Sequence, residues 1–291
     1  MLAATPANLS TPTGCIVAEQ THPTVIGQPV AWTLRGPRRC TGIWAGTGRT
    51  PCPAQAALTD STDPQCAGCA AADRGRALAR DALPGDDGRT YHLYLAWFGP
   101  GLVKVGLTAA DRDRDRLLEQ GAITFTLLAA GPYPPIRLAE HRISTALLAA
   151  ERLGARAKAT AWWQLPPAPE RARQMRSAQQ HITAQMTWPS GLELLPDTVT
   201  DQAGDFGLDE AVPSTYREVT GLGSEPELAG TIRFIVGRRM LLDTASGPLL
   251  ADMRRLAGWT ITASAAHTAE GLGTVTRTQP EDRHDRQDTL F

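Results

Sequence analysis

Tyr91-His92-Leu93-Tyr94-Leu95-Ala96-Trp97-Phe98, Gly99-Pro100-Gly101 and Leu102-Val103-Lys104-Val105-Gly106-Leu107-Thr108 follow one another without interruption. Two short apolar runs flank a Gly-Pro-Gly turn, the pattern of a β-hairpin. Side chains alternate across a strand, so Tyr94 is in phase with His92 and Ala96 and opposite Leu93, Leu95 and Trp97. Val103 and Val105 fit a buried face, which puts Lys104 on the other one. A charged run ending in Arg116 comes next, and Glu140 follows on a second helical pattern. A phenol, an ammonium, a guanidinium and a carboxylate on neighbouring elements can position a metal ion and a phosphodiester.

Outward from the hairpin, Thr108 precedes Asp111 by three, a short-acid form of the capping box, which predicts a helix from 108. Arg112, Arg116 and Gln120 share one face of it, and Gly121 is its expected C-cap. Ile123 to Ala130 reads as a third strand. Pro134-Pro135 opens a helix expected to reach about Arg152, and a further helix is expected over roughly 168–186. Ile136, Ala139, Ile143 and Leu147 form an apolar stripe with Glu140 on or beside it. A carboxylate on a core-facing stripe calls for a cationic partner or a metal. Arg116 and Arg142 are the candidate partners. His141 lies roughly 100° further round the helix and reads as surface.

This order of residues resembles the GIY-YIG nuclease superfamily. The first motif matches as His92-Leu93-Tyr94 and the second as Lys104-Val105-Gly106, with Lys where many members carry a second Tyr. Arg116, followed by Leu117, matches the superfamily arginine ahead of Arg114, and Glu140 matches the metal-binding glutamate. The Lys-Val-Gly form, with Glu119-Gln120-Gly121-Ala122 and four upstream cysteines, resembles the bacterial domain of unknown function 2797 from about Cys40 to about Ile261. That family brings no established activity. The nuclease resemblance implies catalytic roles for Tyr94, Lys104, Arg116 and Glu140. Glu140 would hold Mg or Mn, which take oxygen ligands.

Cys40, Cys52, Cys66 and Cys69 have the spacing C-x11-C-x13-C-x2-C. The Cys66–Cys69 pair can fill two tetrahedral positions and the two single cysteines complete a four-thiolate zinc site. The surrounding stretch is too rich in Gly, Pro, Thr and Asp to bury a core, so it needs such a staple. Four thiolates leave no open position for water, and the zinc is therefore structural. Cys15 reads as a free thiol.

The expected fold class is α+β: a GIY-YIG-like three-stranded sheet with helices, a four-cysteine zinc-stapled N-terminal module and a small C-terminal β-unit. The expected divisions are 1–24 disordered, 25–88 zinc module, 89–190 core, 191–229 acidic loop-rich linker, 230–276 β-unit and 277–291 disordered tail. The N- and C-terminal β segments are each short for an independent sheet, which favours their pairing. Residues 89–190 hold 13 Lys or Arg against 7 Asp or Glu, and residues 191–230 hold 1 against 9. The basic block reads either as a solvated surface or as a phosphate-facing one. The acidic block reads as a linker or as a cover for that basic face. Only 2 lysines occur against 27 arginines, and one of the two is Lys104. Arg238, Arg239, Arg254 and Arg255 near Trp259 suit either single-stranded nucleic acid or charge-protected strand edges.

Mean hydropathy is −0.23. No apolar run approaches the roughly 20 residues a membrane span needs, and no secretory signal opens the chain. The reading is a cytoplasmic protein with no membrane partner. Three functions remain at this stage. One is a metal-dependent phosphodiester hydrolase acting on DNA or RNA. Another is a catalytically inactive zinc-containing nucleic-acid-binding protein. The last is a protein-interaction module.

Overall fold

A computed structural model describes residues 24–45, 48–59, 62–73, 76, 86–146, 148–265 and 268–280. Residues 1–23 and 281–291, expected to be disordered, lie outside the described residues; the sequence from Ala70 to Leu83 reads as a helix, and its second half also lies outside them.

The hairpin forms as its alternation requires. Strand β4 (Thr90–Trp97) pairs antiparallel with β5 (Val103–Ala109), with Tyr94 opposite Gly106 and Ala96 opposite Lys104. On its other side β4 pairs with β6 (Thr124–Pro132). The register slips between Leu93 and Tyr94, leaving Leu128 as an extra residue on β6. Such a bulge re-aims the side chains around it. Both faces of β4 are buried. Tyr91, Leu93, Leu95 and Trp97 enter the main core, while Tyr94, Ala96 and Phe98 pack with Leu117 and Phe125 on the other face.

The helix expected from 108 begins later. Thr108 is still strand, buried and opposite His92, so it cannot cap. A single 3-10 turn (Ala110–Arg112) leads into α2 (Asp113–Gln120), which follows α1 (Ala67–Ala72) in the chain. Gly121 ends α2 with φ 71°, the left-handed C-cap the sequence implied. Helix α3 (Tyr133–Thr145) carries its prolines in the first turn but stops short of Arg152. The chain instead turns back so that Ala150 hydrogen-bonds to β5: Val105 N–H donates to Ala150 O and Ala150 N–H to Val103 O. Helices α4 (Ala155–Ala161) and α5 (Ala168–Gln185) follow.

The expected three-stranded sheet has five strands. Residues 192–228, read as loop-rich, contribute β7 (Glu193–Leu194) and β8 (Val199–Asp201), both on β6. The stretch also contains α6 (Ala203–Phe206) and the eight-residue strand β9 (Thr215–Leu222). Acidic residues of this segment pair with the basic core: Arg171, on α5, makes two hydrogen bonds to Asp201 (2.7 and 2.9 Å), and Arg114 meets Asp205 at 2.6 Å.

The expected small C-terminal β-unit is part of a seven-stranded sheet in the order β13-β1-β10-β11-β12-β9-β14. Its strands are β1 (Pro29–Arg35), β9, β10 (Glu227–Val236), β11 (Arg239–Thr244), β12 (Gly247–Asp252), β13 (Thr260–Ala263) and β14 (Leu272–Thr278). The N-terminal strand β1 pairs with β10 and β13, so the two ends of the chain share one sheet. Strand β14 occupies part of the region read as a charged tail; its polar alternation fits an edge strand with one solvated face. A short helix α7 (Met253–Leu256) lies between β12 and β13. The two sheets meet where the end of α2 packs on the β10–β11 turn: a Cβ on Gly237 would stand 2.8 Å from Glu119 O. Among its described residues the cysteine segment carries the small ladder β2 (Ile43–Ala45) with β3 (Gly48–Thr50) and the start of α1. No helix of the described residues is long and apolar enough to cross a membrane.

Candidate functional site

Tyr94, Lys104 and Gln120 close a triangle. Lys104 Nζ donates to Tyr94 Oη at 2.8 Å and to Gln120 Oε1 at 2.9 Å, and Gln120 Nε2 donates to Tyr94 Oη at 2.8 Å. The three come from β4, β5 and the C-terminal end of α2. Tyr94 is 2% exposed. Its ring lies on Gly106, where a Cβ would meet Oη at 2.2 Å. The glycine of the second motif is therefore the space that the tyrosine of the first one fills.

Glu140 projects from α3 towards the same region and is 8% exposed. Its partner is Arg137, one turn earlier, at 2.5 Å, rather than Arg116 or Arg142. Arg142 donates to Thr187 O instead. Arg137 also reaches Glu151 at 3.4 Å, and Ser144 Oγ donates to Glu151 at 2.8 Å. Burial pushes the Glu140 carboxyl above its usual range, against the pull of Arg137; Glu151 raises it further and the positive charge of Lys104 lowers it. Lys104 and Glu140 thus lie within electrostatic reach of each other.

Arg116 is half-buried on α2 and makes a weak pair with Glu119 at 3.4 Å. Arg114 points to Asp205, away from the triangle. Arg116 ranks ahead of Arg114 on the Leu117 that follows it, and Arg114 is engaged with Asp205. Two residues that the motif comparison did not assign complete the cluster. Lys158, on α4, donates to Gln120 O at 3.2 Å and lies 3.5 Å over the Phe98 ring. Arg238 is close enough to Arg116 and Glu119 for their charges to act on it. Burial, then the charges of Lys104 and Arg116, bring the Lys158 ammonium down to about 7. The signal for Lys158 was its rarity: it is the other of the chain's 2 lysines. His141 is exposed, as read. Of the C-terminal arginines, Arg239 pairs with Glu218 and Arg254 with Asp252.

The four cysteines form a second site. The sulfurs of Cys40, Cys52, Cys66 and Cys69 all lie within 4.8 Å of one another, with Cys52 and Cys66 at 3.9 Å. Sulfurs about 2.3 Å from a shared tetrahedral ion would have similar spacing. The N–H groups of Gly42 and Cys66 donate to Cys40 Sγ at 3.4 and 3.2 Å. The Ala56 N–H helps bring Cys52 down to about 7, while burial pushes Cys69 up to about 12. Four sulfurs in one place, three of them on buried cysteines, can hold a metal ion. Among the described residues this is the group of three or more His, Cys, Asp or Glu side chains with that geometry.

No curated protein matches the chain, and no solved structure does. The family model described as "Protein of unknown function (DUF2797)" matches residues 52–261. That span runs from the second cysteine through the Tyr94–Lys104–Gln120 triangle to β13, well over half of the molecule, and the chain belongs to the DUF2797 family.

Proposed function

We propose that this protein binds nucleic acid through its phosphates, on a GIY-YIG-like core braced by a structural zinc ion. The observation that carries the reading is the cationic cluster around Gln120. Lys104, Lys158, Arg116 and Arg238 come from four different elements, and neither lysine has a carboxylate at ion-pair distance among the described residues. Positive charge gathered in a partly buried place, and offset there by the weak Arg116–Glu119 pair, is what a phosphate backbone neutralises. The strand order β5-β4-β6 with α2 and α3 packed beside it, and the Tyr94–Gly106 contact, support the nuclease-like scaffold. Zinc is supported by the donor set: soft thiolates select zinc or iron–sulfur clusters, and four of them close the coordination sphere.

A second reading, metal-dependent hydrolysis of the bound phosphodiester, is favoured by the buried Glu140 carboxylate within reach of Lys104. Mg or Mn there would take oxygens from Glu140 and Glu151. Arg137 now holds both carboxylates, so this donor set fits a cation only if that guanidinium moves. The binding reading needs no such movement and ranks first. Incubation with single- and double-stranded DNA and RNA, with Mg or Mn and with chelator, separates the two. Binding that falls steeply with salt and no cleavage supports the first; metal-dependent cleavage lost in Glu140→Gln supports the second. Absence of both removes the nucleic-acid reading.

A further inference from the structure

Lys158 belongs to none of the motifs, yet it is tied into the motif residues at several points. Gln120 accepts Lys104 at its side-chain oxygen and Lys158 at its backbone oxygen. The Gly99-Pro100-Gly101 turn packs so closely on α4 that a Cβ on Gly99 would stand 2.3 Å from the Ala161 Cβ. That packing fixes α4 over Phe98 and with it the position of Lys158 above the ring. Two ammonium groups held on one glutamine repel each other, and Arg116 adds to the repulsion. A chain that uses arginine 27 times places both of its lysines here. Lysine supplies a compact point charge suited to a single phosphate, where arginine would impose a planar fork.

We infer that Lys104 and Lys158 form a clamp for one phosphate group, with Lys158 as a ligand-contacting residue of the site. This deepens the reading of the core as phosphate-binding and rests on it. A bound anion placed between the ammoniums would replace their repulsion by two charge-assisted hydrogen bonds. Arg116 would reach the same anion from α2. The groups acting on Lys158 are Lys104 from β5, Arg116 from α2, the Gln120 carbonyl and the Phe98 ring, and the anion is the negative charge this set lacks.

The same geometry couples binding to protonation. With Lys158 titrating at about 7 in the free protein, part of the population carries a neutral amine at neutral pH. An anion favours the charged form, so binding above pH 7 takes up a proton and weakens as pH rises. A phosphodiester has no proton to exchange in this range, which makes an oligonucleotide without terminal phosphates the suitable probe. Inorganic pyrophosphate provides the same chemistry without a nucleic acid.

The test is titration calorimetry of the full chain with both probes, at about pH 6 and about pH 8, on wild type, Lys158→Gln, Lys158→Arg and Lys104→Gln. The expected result is that both glutamine variants bind at least about tenfold more weakly at the lower pH. The wild type should lose about tenfold for the oligonucleotide between the two pH values, and Lys158→Arg should keep its affinity across the range because a guanidinium stays charged. Wild-type affinity in Lys158→Gln, or a wild-type pH profile in Lys158→Arg, would overturn the clamp. If Lys158→Gln does not fold, the Lys158→Arg profile decides. Pyrophosphate binding through both lysines without oligonucleotide binding would keep the clamp and remove the nucleic-acid reading. Oligonucleotide binding indifferent to both Lys158 variants would do the reverse.

Discussion

Tyr94 fills the space above Gly106: a Cβ at residue 106 would stand 2.2 Å from the phenolic oxygen and 2.4 Å from the ring carbon that carries it. The two residues sit opposite each other in the β4–β5 pairing, so the contact crosses the hairpin. The tyrosine of one motif and the glycine of the next act as a single packing unit. The unit places Oη where Lys104 and Gln120 both reach it.

Gly106→Ala should therefore displace a side chain that is 2% exposed and has little room to move. Overpacking of this kind costs about 1–3 kcal/mol. Denaturant unfolding checks it, and Tyr94→Ala combined with Gly106→Ala should recover part of the loss of Gly106→Ala relative to Tyr94→Ala alone. An additive double variant would show that the two residues do not meet.

Arg137→Met should leave Glu140 buried without its close partner and cost about 3 kcal/mol or more at neutral pH. The sign with pH follows from the raised carboxyl pKa. Protonated Glu140 is the form the fold prefers, so its contribution is fully present below the unfolded value and is lost as pH rises. The cost of Arg137→Met should shrink towards pH 4, and Glu140→Gln should be as stable as wild type at neutral pH. Chemical denaturation at both pH values measures each difference.

Lys158 runs the other way along the pH scale. Its folded value is below its unfolded one, so the unfolded chain holds more protons between about 7 and 10.5. Stability should rise with pH across that window, in the ligand-free protein, by more in wild type than in Lys158→Met. At pH 6 Lys158→Met should be the more stable of the two, because it removes a cation repelled by Lys104. Paired unfolding curves at pH 6 and pH 9 test the crossing of the two trends.

Removal of the zinc proposed for the four cysteines should unfold the segment from Cys40 to Cys69, whose described residues form a six-residue helix and two three-residue strands. Binding must expel the protons of thiols such as Cys69, which burial holds protonated, so apparent affinity should fall as pH is lowered. Elemental analysis should find one zinc per chain, lost in Cys69→Ser. A metal-free protein with this segment intact would contradict the staple.

Much of the core could be read from the order of its residues. Alternation put Tyr94 and Lys104 on the face away from Leu93 and Leu95, and that face holds their contact. Gly121 ends its helix because only a left-handed residue continues the chain there. The cysteines converge as their CxxC pair suggested. What the sequence hid was long-range. Strand β14 has a polar alternation that its place at the edge of the large sheet explains. Asp201 reads as one acid in an acidic run, yet it accepts from the buried Arg171, a partner 30 residues away. Arg137 could have been found as the i−3 neighbour of Glu140. Lys158 had no pattern around it, because its role comes from the packing of α4 on a glycine turn.

The central claim is that the cluster around Gln120 meets phosphate. Fluorescence anisotropy of labelled single- and double-stranded DNA and RNA over a salt series tests it most directly, with wild type, Lys104→Gln, Arg116→Gln and, as a control on the far side of α2, Arg114→Gln. The account predicts binding to at least one of these substrates that weakens steeply with salt, falls in the Lys104 and Arg116 variants and persists in the Arg114 variant. Binding that none of the three substitutions changes, or no binding to any substrate at low salt, would contradict it.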